Sequence, residues 1–199
     1  MPTTPPRLTR DAFVVSASNE NALKALDAWV ESQEYLLVIC GPEGAGKTHL
    51  AGILGRELGG VVIVDNIHEG ESPAEILRLI EKAREEGGRI ALAGRGDPKE
   101  WARGLKDLET RVNAAVRISL NEPDEALLRA VIVKIFNDRQ LRATEAIADY
   151  AAPRLAKTFA AAQAFVAALD ALSIEKGQSI GVKLAREALA NLSEEGFEA

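Results

Sequence analysis

The sequence predicts an α/β protein: a parallel sheet of about four strands covered by helices on both faces, followed by a small all-helical domain. Three observations predict it. Short apolar runs at 35–40, 61–64, 90–93 and 115–120 alternate with helical stretches, the pattern of a buried parallel sheet. The run Gly41-Pro42-Glu43-Gly44-Ala45-Gly46-Lys47-Thr48 follows the first of these and opens an amphipathic stretch, which is the strand–loop–helix context of a phosphate-binding loop. From Pro123 onward no strand-like run remains, and helical patterns follow at 124–137, 144–152, 157–174 and 182–192.

Taken in order, residues 1–10 are proline-rich and polar and are expected to be a flexible N-terminus. Phe13-Val14-Val15 leads to Ser18-Asn19, a helix cap, and Leu23, Leu26, Trp29 and Val30 mark one face of the helix that follows. The helix after the phosphate loop, 49–58, stops at Gly59-Gly60, and the buried strand 61–64 ends at Asp65. Ser72 caps and Pro73 opens a further helix with Ile76, Leu77, Leu79 and Ile80 inward and Gly87-Gly88 as its stop. Two more strands follow at 90–93 and 115–120. The domain boundary is placed at Asn121-Glu122-Pro123, giving a nucleotide-binding domain over 11–121, a helical domain over 122–192 and a frayed tail over 193–199. The alanine-rich stretch 159–171 reads as a close-packed helix rather than a linker.

Composition narrows the function classes. With a net charge of −6 there is no broad basic surface to hold a phosphate backbone, so direct nucleic-acid binding is not expected. No apolar run approaches the roughly 20 residues needed to span a bilayer, and 1–10 lacks the apolar core of a signal peptide. The single cysteine, Cys40, closes the first strand as a small core residue, and one cysteine permits no internal disulfide, which suits the cytoplasm.

The phosphate loop names the ligand class, ATP or ADP with Mg²⁺. Glycines let the backbone N–H groups of 41–48 close around an anion, and a helix beginning at Lys47 turns its positive dipole end toward it. Lys47 reaches the outer phosphates, the Thr48 hydroxyl ligates Mg²⁺, and Asp65, at the end of an apolar run, holds the ion through water. The nucleotide set is thus Gly41, Pro42, Glu43, Gly44, Ala45, Gly46, Lys47, Thr48 and the adjoining His49. Asn66, which follows Asp65, can orient an attacking water but cannot take its proton, so slow intrinsic hydrolysis is expected. Glu43 is expected to face solvent, and Trp29 and Trp101 to pack in a core or interface. His49 and His68 form no metal-like spacing with Cys40.

These residues resemble the AAA+ ATPases of the DnaA/Hda family, the bacterial replication initiator and its shortened homologue. Gly46-Lys47-Thr48-His49-Leu50 is a family-like loop ending, Asp65-Asn66 is similar to the Hda form of the second motif, and Phe13-Val14-Val15 with Ser18-Asn19 resembles the segment leading into the adenine pocket. Asp97-Pro98-Lys99-Glu100-Trp101 stands near the family's first sensor, and Leu108-Glu109-Thr110-Arg111-Val112 resembles the box that carries its arginine finger. The stretch from Pro123 to Arg129 and the helix beginning Phe159-Ala160-Ala161-Ala162 are particularly similar to alphaproteobacterial Hda. The likeness runs over 8–192, with the phosphate loop its one strong motif. It implies an AAA+ core with a small all-helical lid, and Arg111 as a finger acting in trans on a partner's nucleotide. A planar, permanently charged guanidinium suits that role.

Three departures qualify the resemblance. The interval between Thr48 and Asp65 holds one helix and one strand, where the family inserts another of each. The missing strand lies at the family's sheet edge, so the expected order here is fourth, first, third, second. At the first sensor Arg95 or Asp97 replaces the usual polar residue, and at the second Lys157 or Gln163 stands in place of an arginine, which leaves the choice between ATP and ADP open. Residues 1–10 lack the glutamine-and-leucine motif with which Hda proteins bind the sliding clamp. The resemblance implies a regulator that docks on the ATP-bound initiator DnaA, with the DNA-loaded clamp and a homodimer as further possible assemblies, and promotes its ATP hydrolysis. The alternative is a degenerate adaptor that binds nucleotide for stability and tethers a partner. A small-molecule P-loop kinase is disfavoured, because the alanine-rich lid lacks arginines to cover a second substrate.

Overall fold

In the computed structural model, residues 8–16, 18–67, 70 and 72–194 are described, and His68 and most of the expected tail over 193–199 lie outside them. The chain divides into two compact units. One runs to Phe13 and resumes over Asn19–Asn121, and the other takes Val14–Ser18 and continues from Glu122.

The first unit holds four strands, β1 (Leu36–Cys40), β2 (Val61–Val64), β3 (Arg89–Gly94) and β4 (Val116–Ser119), all parallel and in the order β2-β3-β1-β4. That is the order expected for an AAA+-type core lacking its edge strand. Central β1 is buried along its whole length, because successive side chains feed opposite layers. Leu37 and Ile39 pack with Leu26 and Trp29 of α1 (Glu20–Glu31) and with Leu50, Ile53 and Leu54 of α2 (Lys47–Glu57). Leu36, Val38 and Cys40 pack with Ile76 and Ile80 of α3 (Pro73–Glu85) and with Trp101, Leu108 and Val112 on the other face. Helix α3 opens with a reciprocal cap in which Ser72 and Glu75 satisfy each other's backbone N–H groups.

Trp101 and Leu108 belong to two short helices that periodicity does not announce, α4 (Pro98–Trp101) and α5 (Lys106–Ala114). Gly104, with φ of +87°, separates them, and each is too short to show a full apolar stripe. The segment expected to be loose over 1–10 is docked from Leu8 on. Arg10 pairs with Asp27 of α1 and with Glu57 at the end of α2.

The second unit contains α6 (Glu125–Asp138), α7 (Glu145–Ala151), α8 (Phe159–Lys176) and α9 (Val182–Glu194). Phe165, Val166 and Leu169 of α8 are fully buried among Leu128, Ile132 and Phe136 of α6 and Ala185 and Ala188 of α9. The alanines let neighbouring helices approach closely. Thr158 caps α8 by accepting the Ala161 N–H, and Gly177, in left-handed conformation, ends it.

Candidate functional site

β1 delivers the chain into the phosphate loop at the carboxyl edge of the sheet. Gly41 leaves the strand at φ of +153°, and a Cβ there would stand 2.4 Å from the Leu120 carbonyl oxygen, so only glycine fits beside the exit of β4. Gly46 turns the chain into α2 from a left-handed conformation (φ +95°), and Gly44 is left-handed as well (φ +67°). Backbone of this kind turns successive N–H groups inward and makes an anion-binding concavity at the helix N-terminus. Ala45 is buried beneath the loop.

Lys47 is buried at the first turn of α2, and its Nζ donates to the carbonyls of Gly41 at 3.0 Å and Pro42 at 2.5 Å. Burial holds its ammonium below the ordinary lysine range. The positive charge of Arg95 acts in the same direction, and Asp65 and Glu43 oppose it. These four charges therefore share one electrostatic neighbourhood at the ends of β1, β2 and β3. Thr48 is exposed on the next helical position. Asp65 leaves β2 half-buried and accepts the Asn66 N–H at 2.9 Å. Asn66 itself is exposed and left-handed (φ +52°). The Ile67 N–H donates to Ala93 O, which keeps this turn beside β3.

At the end of β3 the two candidates for the first sensor separate. The Arg95 guanidinium lies 2.8 Å from the carboxylate of Glu43 in the phosphate loop. Asp97 is used locally: its carboxylate accepts the Lys99 N–H at the start of α4 and lies 3.7 Å from Arg117. Arg117 in turn donates to the Cys40 sulfur at 3.1 Å, so the buried thiol is part of a polar contact at the rim. Neither the Glu43–Arg95 pair nor the Arg117–Cys40 contact was visible in the sequence. The only signal was Arg95, a charged residue one position past the end of β3.

His49 points away from the loop. Its Nε2 is 2.9 Å from Thr9 O and its ring meets Phe13 edge-on at 5.2 Å, tying 8–13 to the back of α2. Arg111, on α5, is not brought to the loop either. It lies 3.2 Å from Glu81 of α3, in the part of α5 that leads toward the start of β4 and so toward the amino ends of the strands.

The residues present fit a phosphate chain with its cation: a glycine-shaped loop, a helix N-terminus, a buried lysine, a helical threonine and one carboxylate. Among the described residues no group of three His, Cys, Asp or Glu could cage a metal alone. Mg²⁺ on such loops takes few protein ligands and completes its shell from phosphate and water.

The chain matches no family model and no curated protein sequence. Its fold is similar to those of several solved structures. Domain III of the Thermotoga maritima replication initiation protein DnaA superposes with a TM-score of 0.77 at 17% identity, covering 96% of this chain and 98% of that one. The Thermotoga maritima RuvB Holliday junction branch migration motor follows with a TM-score of 0.70 at 16% identity, covering 94% and 72%. A replication initiator DnaA bound to AMPPCP and single-stranded DNA superposes at 0.69 and 15% identity, covering 83% of this chain and 65% of that one. At such identities the likeness establishes the fold. No helix among the described residues is long and apolar enough to cross a membrane.

Proposed function

We propose that this chain is a nucleotide-binding, Hda-like regulator that docks on an ATP-bound replication initiator and promotes its hydrolysis through Arg111. The observation that carries the reading is the division of labour in the first unit. A complete phosphate cradle stands at the carboxyl edge of the sheet, while Arg111 is held elsewhere, on α5 against Glu81. An arginine that does not serve its own cradle is free to serve another subunit's.

Within the cradle, the backbone N–H groups of 44–48 and the Lys47 ammonium would bind the phosphates of ATP or ADP, and Thr48 and Asp65 would hold Mg²⁺. When bound, the cation supplies charge neutralisation along the phosphate chain. Asn66 orients water without accepting its proton, so the chain's own turnover is slow and nucleotide serves chiefly to set its shape. The first domain is read as 11–121 and the helical one, over 122–192, as its lid. The initiator fold of the neighbours and the AMPPCP held by one of them support the nucleotide and the replication context.

The deciding experiment measures ATP hydrolysis by the cognate initiator with and without this protein and DNA-loaded clamp. Stimulation that vanishes with Arg111→Ala, docking being retained, supports the regulator. Tight nucleotide binding without stimulation supports the second reading, an adaptor that tethers a partner, which the ion pair already holding Arg111 favours.

A further inference from the structure

The Glu43–Arg95 ion pair ties the phosphate loop to the end of β3. Parallel register places Cys40 beside Gly94, so Glu43 and Arg95 emerge from adjacent strands at the same edge. The base of Arg95 is fixed. Its carbonyl accepts the Trp101 indole N–H at 2.6 Å, and a Cβ on the preceding Gly94 would lie 2.5 Å from Ile67 and 2.8 Å from Trp101. The side chain beyond is open to solvent. It is 41% exposed, Glu43 is 70% exposed, and a cleft of about 240 Å³ lined by Arg95, Trp101 and Arg103 lies beside it. A pair this exposed is weak and readily exchanged.

Lys47 and Arg95 both stand at this edge, and they act on each other as charges. Lys47 is fixed by the loop carbonyls, so it serves whatever lies deepest in the cradle. The planar fork of Arg95 matches a carboxylate and a phosphate equally well, and a terminal phosphate carries more charge than a glutamate.

We propose that Glu43 is a specificity-determining residue acting through Arg95: its carboxylate occupies the guanidinium that would otherwise grip the outermost phosphate of a nucleoside triphosphate. The inference rests on the nucleotide reading above. In it, Arg95 exchanges Glu43 for the third phosphate, and a diphosphate leaves the pair intact. Glu43 therefore competes with triphosphate more strongly than with diphosphate.

The test is equilibrium titration of the whole chain, with Mg²⁺, against ADP and a non-hydrolysable ATP analogue. Glu43→Gln is expected to raise the triphosphate-to-diphosphate affinity ratio up to about fivefold. Arg95→Gln is expected to lower triphosphate affinity about tenfold or more, with diphosphate affinity within about twofold of the parent. The double variant is expected to match Arg95→Gln alone, and Arg95→Lys to fall between, since it keeps the charge without the fork. Both side chains are exposed, so thermal melts check that each variant folds. Measurable diphosphate binding with an unchanged ratio, or a Glu43→Gln effect that persists without Arg95, overturns the inference and leaves nucleotide binding standing. Absence of binding to either nucleotide by the parent chain overturns both.

Discussion

Arg111 of α5 rests its guanidinium 3.2 Å from the Glu81 carboxylate of α3, with its side chain only a quarter exposed. A finger used in trans must leave such a contact. The pair is partly solvated and contributes about 1 kcal/mol or less, so departure is easy. Glu81→Gln is accordingly expected to shift the melting temperature by no more than a few degrees and to leave initiator stimulation equal to or above that of the parent. Loss of stimulation in this variant would show instead that Glu81 orients the finger.

Lys47 gives a pH signature. Its folded-state pKa is lowered below the ordinary 10.5 by burial, so the folded chain holds a charged amine at a disadvantage. That disadvantage is present in full below the lowered value and is relieved as pH rises through it toward 10.5, where folded and unfolded forms bind protons alike. Denaturant melts between pH 7 and about 10.5 are expected to show a component of stability rising with pH that Lys47→Met abolishes. Nucleotide affinity should run the other way over that window, because only the ammonium pairs with phosphate. At neutral pH, Lys47→Met should weaken nucleotide binding about tenfold to a hundredfold.

How far this was legible can be followed through particular residues. β1 was plain because all of 36–40 is apolar and buried on both faces, and the loop after it because its glycines sit where backbone, not side chains, must approach an anion. Helices α4 and α5 were not, because Lys99, Glu100 and Lys106 dilute the short apolar pattern to which Trp101, Leu108 and Val112 belong. Glu43 is exposed, as expected, but its ion pair was hidden because its partner is distant in sequence. Only the pairing of β1 with β3 brings Arg95 to it. The docking of 8–13 was hidden for the same reason: its anchors, Asp27, His49 and Glu57, lie on two different helices.

Arg89, at the start of β3, stacks its guanidinium 3.7 Å from the Trp29 ring centroid and donates to the carbonyls of Trp29, Val30 and Glu34. It thus satisfies the end of α1 with one planar group. Arg89→Ala is expected to cost about 2–3 kcal/mol, read as a melting temperature lower by roughly 5–10 °C. Arg89→Lys should recover less than half, since an ammonium can neither stack as a plane nor fork to three acceptors.

The strap formed by 8–13 should come away from α2 without unfolding it. A Cβ on Gly52 would stand 2.5 Å from the Leu8 Cβ and 2.8 Å from its Cδ1, so Gly52→Ala forces one of the two to move. Alanine favours the helix by about 1 kcal/mol over glycine, so α2 stays and Leu8 yields. The melting temperature should change by only a few degrees, while backbone amides of 8–13 exchange faster. Acid should act on the same strap through Glu57. Its hydrogen bond to Arg10 holds the carboxyl below the ordinary 4.5, so the stabilisation is present above that value and is lost as pH falls through the lowered one. Arg10→Ala should reproduce that fast exchange at neutral pH and remove its acid dependence. A fall of more than about 10 °C in either variant would instead make the strap part of the core.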